Sequence, residues 1–185
     1  MIRYAAPLLA VAVLTGCSSK IADRFDSRQN AGPCPPIGAL YDSARYVSFD
    51  GAGELYSNIE YTGEVIDARI YCRYVGDDPL EAEIEVDFAF GKGAASTSNS
   101  HTYPYYVAVT RRNGKVLAKQ YFNVEADFGG NSLDGKTEVL GRIQIPRADE
   151  SISGTNFEVI VGFDLTEEQL EFNRAGKRFR MDAGN

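Results

Sequence analysis

The chain has 185 residues, with 26 acidic and 19 basic side chains and a formal net charge of −7 at pH 7. That length is enough for one domain with a substantial core. An acidic surface repels nucleic acid and anionic lipid head groups, so the composition argues against a nucleic-acid partner and against purely electrostatic membrane binding.

The N-terminal stretch ending at Cys17 has the pattern of an export signal. Arg3 precedes an apolar run over residues 5–14 that is too short to span a bilayer. The following box, Leu14-Thr-Gly-Cys17, resembles a bacterial lipoprotein signal, which is cut before a cysteine that carries a diacylglyceryl group. An ordinary secretory signal and a buried apolar helix are the alternatives. We expect a leader over residues 1–16 and a membrane anchor on Cys17.

Residues 17–33 are polar and carry charges of both signs. We expect this segment to be a lipidated flexible tether, which when extended would reach about 50 Å. In bacterial lipoproteins an aspartate after the modified cysteine favours the inner membrane, whereas this chain has Ser18. By that resemblance, we expect the protein at the outer membrane, facing the periplasm. The folded domain then covers residues 34–185.

The two cysteines that remain form an even pair in an oxidising compartment. We predict a disulfide between Cys34 and Cys72, worth about 4 kcal/mol in the chain-entropy description of loop closure. A metal pair and two free thiols are the competing interpretations. No histidine or third cysteine lies near enough in sequence to favour a metal.

Beyond Cys34 the dominant sequence period is two, which is typical of strands with one buried face. Candidate strands recur at intervals of about a dozen residues, a spacing that favours an antiparallel sandwich. We predict an all-β fold, an immunoglobulin- or fibronectin-like β-sandwich of seven to eight strands. The candidates cover residues 44–49, 58–62, 66–74, 80–90, the two arms of a hairpin around Asn113-Gly114, 139–145 and 157–163.

The runs 66–74 and 80–90 predict a hairpin joined by turn-forming residues 75–79. Aligning their apolar faces, which include Ile66 and Ala68, sets Cys72 opposite Ala82. Oppositely charged side chains then face each other across the outer surface, where each pair contributes about 0.2–1 kcal/mol. The expected pairs are Arg73 with Glu81 and Arg69 with Glu85.

A second hairpin turns at Asn113-Gly114, a pair that suits a two-residue type I′ loop. Folding about this turn sets Tyr106 opposite Tyr121 on the outward face. Exposed tyrosines offer contact area at low entropy cost, so we expect a binding surface for a protein partner or a sugar chain. A second layer, such as the C-terminal helix, could instead cover the rings. The candidate surface residues are Tyr103, Tyr105, Tyr106 and Tyr121. Pro104, which lies between the first two, predicts that this strand is an edge strand.

One helix is predicted near the C-terminus. Thr166 followed by Glu167, Glu168 and Gln169 forms a capping-box pattern, and the two glutamates complement the helix dipole. Gly176 marks its end, so we expect about two turns.

No motif in the chain indicates an enzyme. His101 lies beside a Ser/Thr-rich stretch, residues 96–100, which suggests a nucleophile with a histidine base. The stretch lacks a nucleophile elbow, so we interpret it as a connection between hairpins. We expect no catalytic residue, no cofactor and no metal. Calcium stays open as an alternative because three groups of loop carboxylates carry suitable oxygens. These are Asp77-Asp78, Asp127 with Asp134, and Asp149-Glu150.

Several short segments together resemble an uncharacterised family of bacterial envelope lipoproteins over nearly the whole mature chain. They are Cys34-Pro-Pro, Ala44-Arg-Tyr, Tyr71-Cys-Arg-Tyr, Val86-Asp-Phe and the run from Gly162 to Leu170. The resemblance implies an envelope location and no known activity. We expect a non-enzymatic, lipid-anchored binding or assembly component of the envelope, with a protein partner as the first expectation. A peptidoglycan- or carbohydrate-contacting surface is the second, and an envelope hydrolase the third.

Overall fold

The structure, a computed structural model, describes residues 32–74, 79–149 and 151–179. The expected leader, Cys17, nearly all of the tether and most of the first hairpin turn therefore lie outside the described residues. Eight strands and one α-helix are present in the described ranges. In chain order they are β1 Ile37–Ala39, β2 Arg45–Phe49, β3 Ile59–Arg73, β4 Leu80–Lys92, β5 Ser100–Arg111, β6 Val116–Asp127, β7 Leu133–Ile145, β8 Phe157–Phe163 and α1 Glu167–Arg174.

The strands form two four-stranded sheets, and this confirms the predicted sandwich. The first sheet has the order β1-β8-β5-β6 and the second has the order β2-β3-β4-β7. The chain crosses between sheets after β1, β4, β6 and β7, as it does repeatedly in immunoglobulin-like sandwiches. One feature differs from a purely antiparallel arrangement: the short β1, absent from the predicted strands, pairs with β8 in parallel.

The core lies between the sheets and follows the predicted alternation. Phe90 of β4 stacks on Tyr103 of β5 with ring centroids 4.3 Å apart, and Phe88 meets Tyr105 at 5.1 Å. Burying each large apolar side chain contributes about 1.5–3 kcal/mol. Every predicted inner-face residue of β4 and β8 is buried: Leu80, Ala82, Ile84, Val86, Phe88, Phe90, Phe157, Val159, Val161 and Phe163.

The β3–β4 hairpin has the predicted register, with Cys72 opposite Ala82. On its outer face Arg73 pairs with Glu81 at 2.6 Å. Arg69 donates to Glu85 at 3.3 Å and also reaches Asp87 at 2.8 Å. This guanidinium lowers the pKa of the Asp87 carboxyl. The row of acids on β4 is therefore partly neutralised by the neighbouring strand, as expected.

The predicted strands 58–62 and 66–74 are wrong as separate elements, because β3 runs through both. A bulge between Val65 and Asp67 adds one residue to β3. That residue, Ile66, is 59% exposed instead of facing the core as predicted. A bulge reverses which alternate residues point inward, so Tyr61 before it and Cys72 after it both face the core. In the sequence, the shift of the core-facing residues from odd to even positions looks like the end of one strand and the start of another.

The β5–β6 hairpin keeps its predicted pairs, but the type I′ loop is wrong. The Arg111 carbonyl accepts from the Gly114 N–H at 2.8 Å, and the Arg111 N–H donates to the Lys115 carbonyl at 2.9 Å. Gly114 has φ 81°, while Asn113 is not among the residues with positive φ. A type I′ turn needs positive φ at both central residues. A longer turn with one left-handed glycine replaces it. The register shifts by one residue between Val109 and Thr110, so the pairs predicted further along the hairpin are kept.

Cys34 and Cys72 are joined, as the cysteine count predicts, with Cα atoms 5.6 Å apart. Cys34 lies just before β1 of the first sheet, and Cys72 lies in β3 of the second. The bond thus ties the start of the described domain across the sandwich. Tyr74 adds to this junction, because its hydroxyl donates to the Pro33 carbonyl at 2.5 Å and accepts from the Gly154 N–H at 2.7 Å.

Helix α1 has the predicted capping box and covers the edge of the second sheet. The Gln169 side-chain amide donates to the Val47 carbonyl at 2.6 Å. The buried Asn173 amide donates to the carbonyls of Asp42 and Arg45, both at 2.8 Å. These amides take the place of a further strand along β2, so its edge is not open for pairing. Within the described ranges, no helix is long and apolar enough to cross a membrane.

Candidate functional site

The outer face of the β5–β6 hairpin carries the predicted tyrosine pair. Tyr106 and Tyr121 are opposite each other in the register. The Tyr121 side chain is 61% exposed, whereas Tyr106 is half-buried. The Tyr106 hydroxyl lies 3.1 Å from the Ser43 hydroxyl, which holds the ring across Gly162 of β8. One ring is therefore fixed and the other is open to contact.

Lys119 joins this pair and was missed by the sequence prediction. Its Nζ lies 3.9 Å from the centroid of the Tyr106 ring and 4.7 Å from that of Tyr121. An ammonium group over the face of a tyrosine is attracted by the negative charge of the ring face. We call Tyr106, Lys119 and Tyr121 the Tyr–Lys–Tyr platform.

Tyr103 and Tyr105 do not belong to this surface, so the prediction for these two residues is wrong. Both are fully buried between the sheets, and burial raises the pKa of each phenol well above its ordinary value. The Tyr103 hydroxyl donates to the Thr62 carbonyl at 3.1 Å. The Tyr105 hydroxyl has no hydrogen-bond partner in the described part of the chain. Successive residues of a strand point to opposite faces, so a continuous tyrosine-rich stretch cannot form one surface.

The alternative in which the C-terminal helix covers the tyrosines is also wrong for the platform. Helix α1 lies against β2, in the other sheet. The large exposed fraction of Tyr121 shows that no described segment covers its ring.

Pro104 does not mark an edge strand, because β5 pairs with β8 on one side and β6 on the other. The pairing with β8 ends at Tyr105. The Pro104 carbonyl accepts from the Asp164 N–H at 2.9 Å, beyond the end of β8. An N–H at position 104 would point to this same side. Because β8 has ended there, the absence of this donor from proline breaks no hydrogen bond between the strands. A central strand therefore tolerates proline here.

The charge around the platform is opposite to that of the whole protein. Residues 88–124 contain no aspartate or glutamate, although the chain carries 26 such residues. Four cations on the hairpin are exposed, and none forms an ion pair with a described carboxylate. The four cations are Arg111, Arg112, Lys115 and Lys119. The absence of acids from residues 88–124 was the sequence signal that could have identified Lys119.

His101 does not form a nucleophile arrangement with the serines beside it. Its Nε2 lies 3.1 Å from the Tyr46 hydroxyl, and its ring stacks on Tyr61 with centroids 4.1 Å apart. Partial burial lowers the pKa of the imidazole. Among the described hydrogen bonds, none joins His101 to a serine hydroxyl. The imidazole thus has a packing role at one end of the core.

A pH dependence of stability follows from this environment. The unfolded imidazole titrates near 6.5, and the folded pKa lies below that value. The contribution of neutral His101 is therefore complete above about pH 6.5 and is lost as the pH falls through that value towards the folded pKa. We expect the free energy of unfolding, measured by urea denaturation, to fall between pH 7 and pH 5. His101→Phe should flatten this change; an unchanged slope in the variant would assign it to other groups.

The candidate calcium ligands in the described ranges accept hydrogen bonds from nearby backbone N–H groups. An Asp134 carboxylate oxygen accepts from the Asp127 N–H at 3.0 Å, and Asp149 accepts from the Ser151 N–H at 2.9 Å. No group of three or more potential ligands occurs in the described segments. The other candidate calcium ligands, Asp77, Asp78 and Glu150, lie outside them.

A groove of about 210 Å³ runs beside α1 over the outer face of the second sheet. It is lined by aromatic rings such as Phe172 and Phe179 and by Arg45, which pairs with Glu64 at 3.3 Å. The second acid in its lining, Asp134, also lies beside a cation, Lys136, at 3.7 Å.

The chain matches no family model and no curated protein. Among solved structures it is similar to the variable domain of the AgI/II polypeptide BspA from Streptococcus agalactiae. The identity is 14%, the TM-score is 0.22, and the alignment covers 66% of this chain and 76% of that domain. A TM-score this low supports no inference about fold or function.

Proposed function

We propose that the protein is a non-enzymatic, lipid-anchored binding or assembly module of the bacterial cell envelope. The observation that carries this proposal is the Tyr–Lys–Tyr platform, an exposed aromatic and cationic surface on a rigid sheet. Rigid aromatic side chains give contact area at low entropy cost, and tyrosine is enriched in binding surfaces. The candidate partners are an envelope protein and a glycan such as peptidoglycan, and the open face of Tyr121 favours the glycan.

The location rests on the box that ends at Cys17. Lipid chains on this cysteine hold the protein at the membrane, since each buried methylene contributes about 0.8 kcal/mol and two chains anchor stably. The tether over residues 17–33 lets the domain reach partners about 50 Å from the bilayer. With Ser18 after the modified cysteine, the membrane is the outer one and the domain faces the periplasm.

The anchor is tested by Cys17→Ser. We expect this variant to leave the membrane fraction, because no lipid can be attached at that position. The measurement is the partition of the protein between membrane and soluble fractions after lysis. Ser19→Ala is the matched control, because it changes a neighbouring residue and keeps the Cys17 thiol, and it should stay in the membrane fraction. Tight membrane association of the Cys17→Ser protein would contradict the anchor.

The contact surface is tested by site-specific photocrosslinking in living cells. A photoreactive residue at Tyr121 should capture an envelope component, because this side chain is the exposed part of the platform. The matched control is Val139 on β7 of the other sheet, which is similarly exposed at 56%. Equal capture from both positions, or none from Tyr121, would contradict a role for this face.

A further inference from the structure

We infer that the Tyr–Lys–Tyr platform binds a glycan whose sugars carry carboxylate groups. The inference rests on the proposed function, since it names the ligand class of that surface. Its support is the combination of two aromatic rings with the ammonium group of Lys119 on one face of an otherwise acidic protein.

The two rings provide the neutral part of the site. A tyrosine has an apolar face and a polar tip, so the ring of Tyr121 can contact the C–H face of a sugar while its hydroxyl stays hydrated. The neighbouring Tyr106 ring is held by its hydrogen bond to Ser43. Cross-strand pairs in an antiparallel sheet bring Cβ atoms within about 5 Å. The rings thus form one continuous contact area, part of which is ordered before any ligand binds.

Lys119 provides the charged part. Its ammonium group lies between the rings and pairs with no carboxylate in the described ranges, so its hydrogens remain available to an anionic ligand. Charge-assisted hydrogen bonds to a carboxylate are stronger than neutral ones. Acids lie at the borders of the platform: Glu158 opposite Thr110 on β8, Glu125 opposite Thr102 on β6, and Asp164, whose N–H donates to the Pro104 carbonyl.

The other cations of the hairpin do not extend this face. The register shift after Val109 inserts Leu117 into β6 and reverses which side chains point outward, so Lys115, paired with Arg111 across the turn, points to the opposite face from Lys119. The platform therefore offers one ammonium group beside two rings, which fits a sugar with a carboxylate group.

A hydrated, charged ligand suits this face better than the apolar surface of a folded protein does. The centres of protein–protein interfaces are depleted of charged residues, whereas a lysine occupies the centre of the platform. Beyond the tyrosines the outward residues are Asn123 and Pro104, and on the other side Ala108 pairs with Lys119 and with the half-buried Ile160.

The test is isothermal titration calorimetry of the whole purified protein with tetragalacturonate and with its methyl ester, which keeps the rings but lacks the charge. We expect tetragalacturonate to bind at least tenfold more tightly than the ester, and its affinity to fall with added salt. Lys119→Gln should weaken binding of the acid about tenfold and leave the ester almost unchanged. Tyr121→Ala should weaken both.

Lys136→Gln on β7 is the matched control, because Lys136 lies in the other sheet near Asp134 at 3.7 Å; it should bind like the unaltered protein. Equal affinity for acid and ester, no effect of Lys119→Gln, or binding of neither sugar would overturn the inference. So would binding only of poly-glutamate or of phosphatidylglycerol vesicles. Capture of a protein from Tyr121 in cells, without binding of either sugar, would overturn the ligand class while leaving the proposed module intact.

Discussion

Removing the disulfide by the paired change Cys34→Ala and Cys72→Ala is expected to lower the free energy of unfolding by about 4 kcal/mol. The two cysteines are separated by 38 positions, so the bond removes many conformations from the unfolded chain. The native state also depends on it, since Cys34 precedes β1, which has only three residues paired with β8. Marginal stability of a domain this size makes such a loss severe.

The measurement is urea denaturation at pH 7, compared between the variant and the unaltered protein. Cys17→Ser is the control, because its side chain lies outside the folded domain in the proposed organisation and should leave the unfolding midpoint unchanged. Reduction of the unaltered protein with dithiothreitol should reproduce the loss. A loss below about 1 kcal/mol would show that hydrogen bonds at Tyr74 hold the N-terminal segment without the covalent bond.

Asn173→Asp is expected to cost about 3–5 kcal/mol. The amide of Asn173 is buried and donates to two carbonyls, each at 2.8 Å. A carboxylate in its place would direct negative oxygen at those two carbonyl oxygens, and neither carbonyl can donate a hydrogen to it. Burial of a charge that loses its hydrogen bonds is among the few single changes with an effect of this size.

Gln169→Glu is the matched control for that change. It makes the same chemical substitution one helical turn earlier, where the side chain is only half-buried and loses a bond to the Val47 carbonyl. We expect a cost of about 1 kcal/mol, because solvent can reach the new charge. Thermal denaturation of both variants gives the comparison. Equal costs would mean that the depth of burial at Asn173 does not decide the effect.

Hairpin registers were predictable because they depend on a short-range pattern. In the β3–β4 hairpin, only one alignment puts Cys72 opposite Ala82 and buries both apolar faces, and a slip by one residue would expose them all. The charges of Arg73 and Glu81 agreed with that alignment, so several independent patterns indicated the same structure. Tyr106 was placed opposite Tyr121 by folding about Asn113-Gly114, and this pairing is kept in spite of the different turn because the register shifts after Val109.

The errors arose where contacts between distant segments decide the outcome. The bulge at Ile66 lets one long strand serve two parts of the core, and alternation alone cannot distinguish a parity change from a strand end. Pro104 is tolerated in a central strand because β8 happens to stop beside it. Tyr105 lies in the core because the second sheet covers it, a fact that depends on β4.

The amino-acid sequence was thus sufficient for the β-sandwich class, the pairing within hairpins, the cysteine pair and the capped helix, since each follows from residues close in the chain or from simple counting. It also predicts the anchor on Cys17, which remains to be measured. The tertiary structure alone decided which tyrosines are exposed, how α1 covers the edge of β2, and that Lys119 lies between two rings. Those properties depend on which face of each strand packs against another layer. Alternation of apolar and polar residues distinguishes the two faces of a strand, but it does not indicate what covers each face.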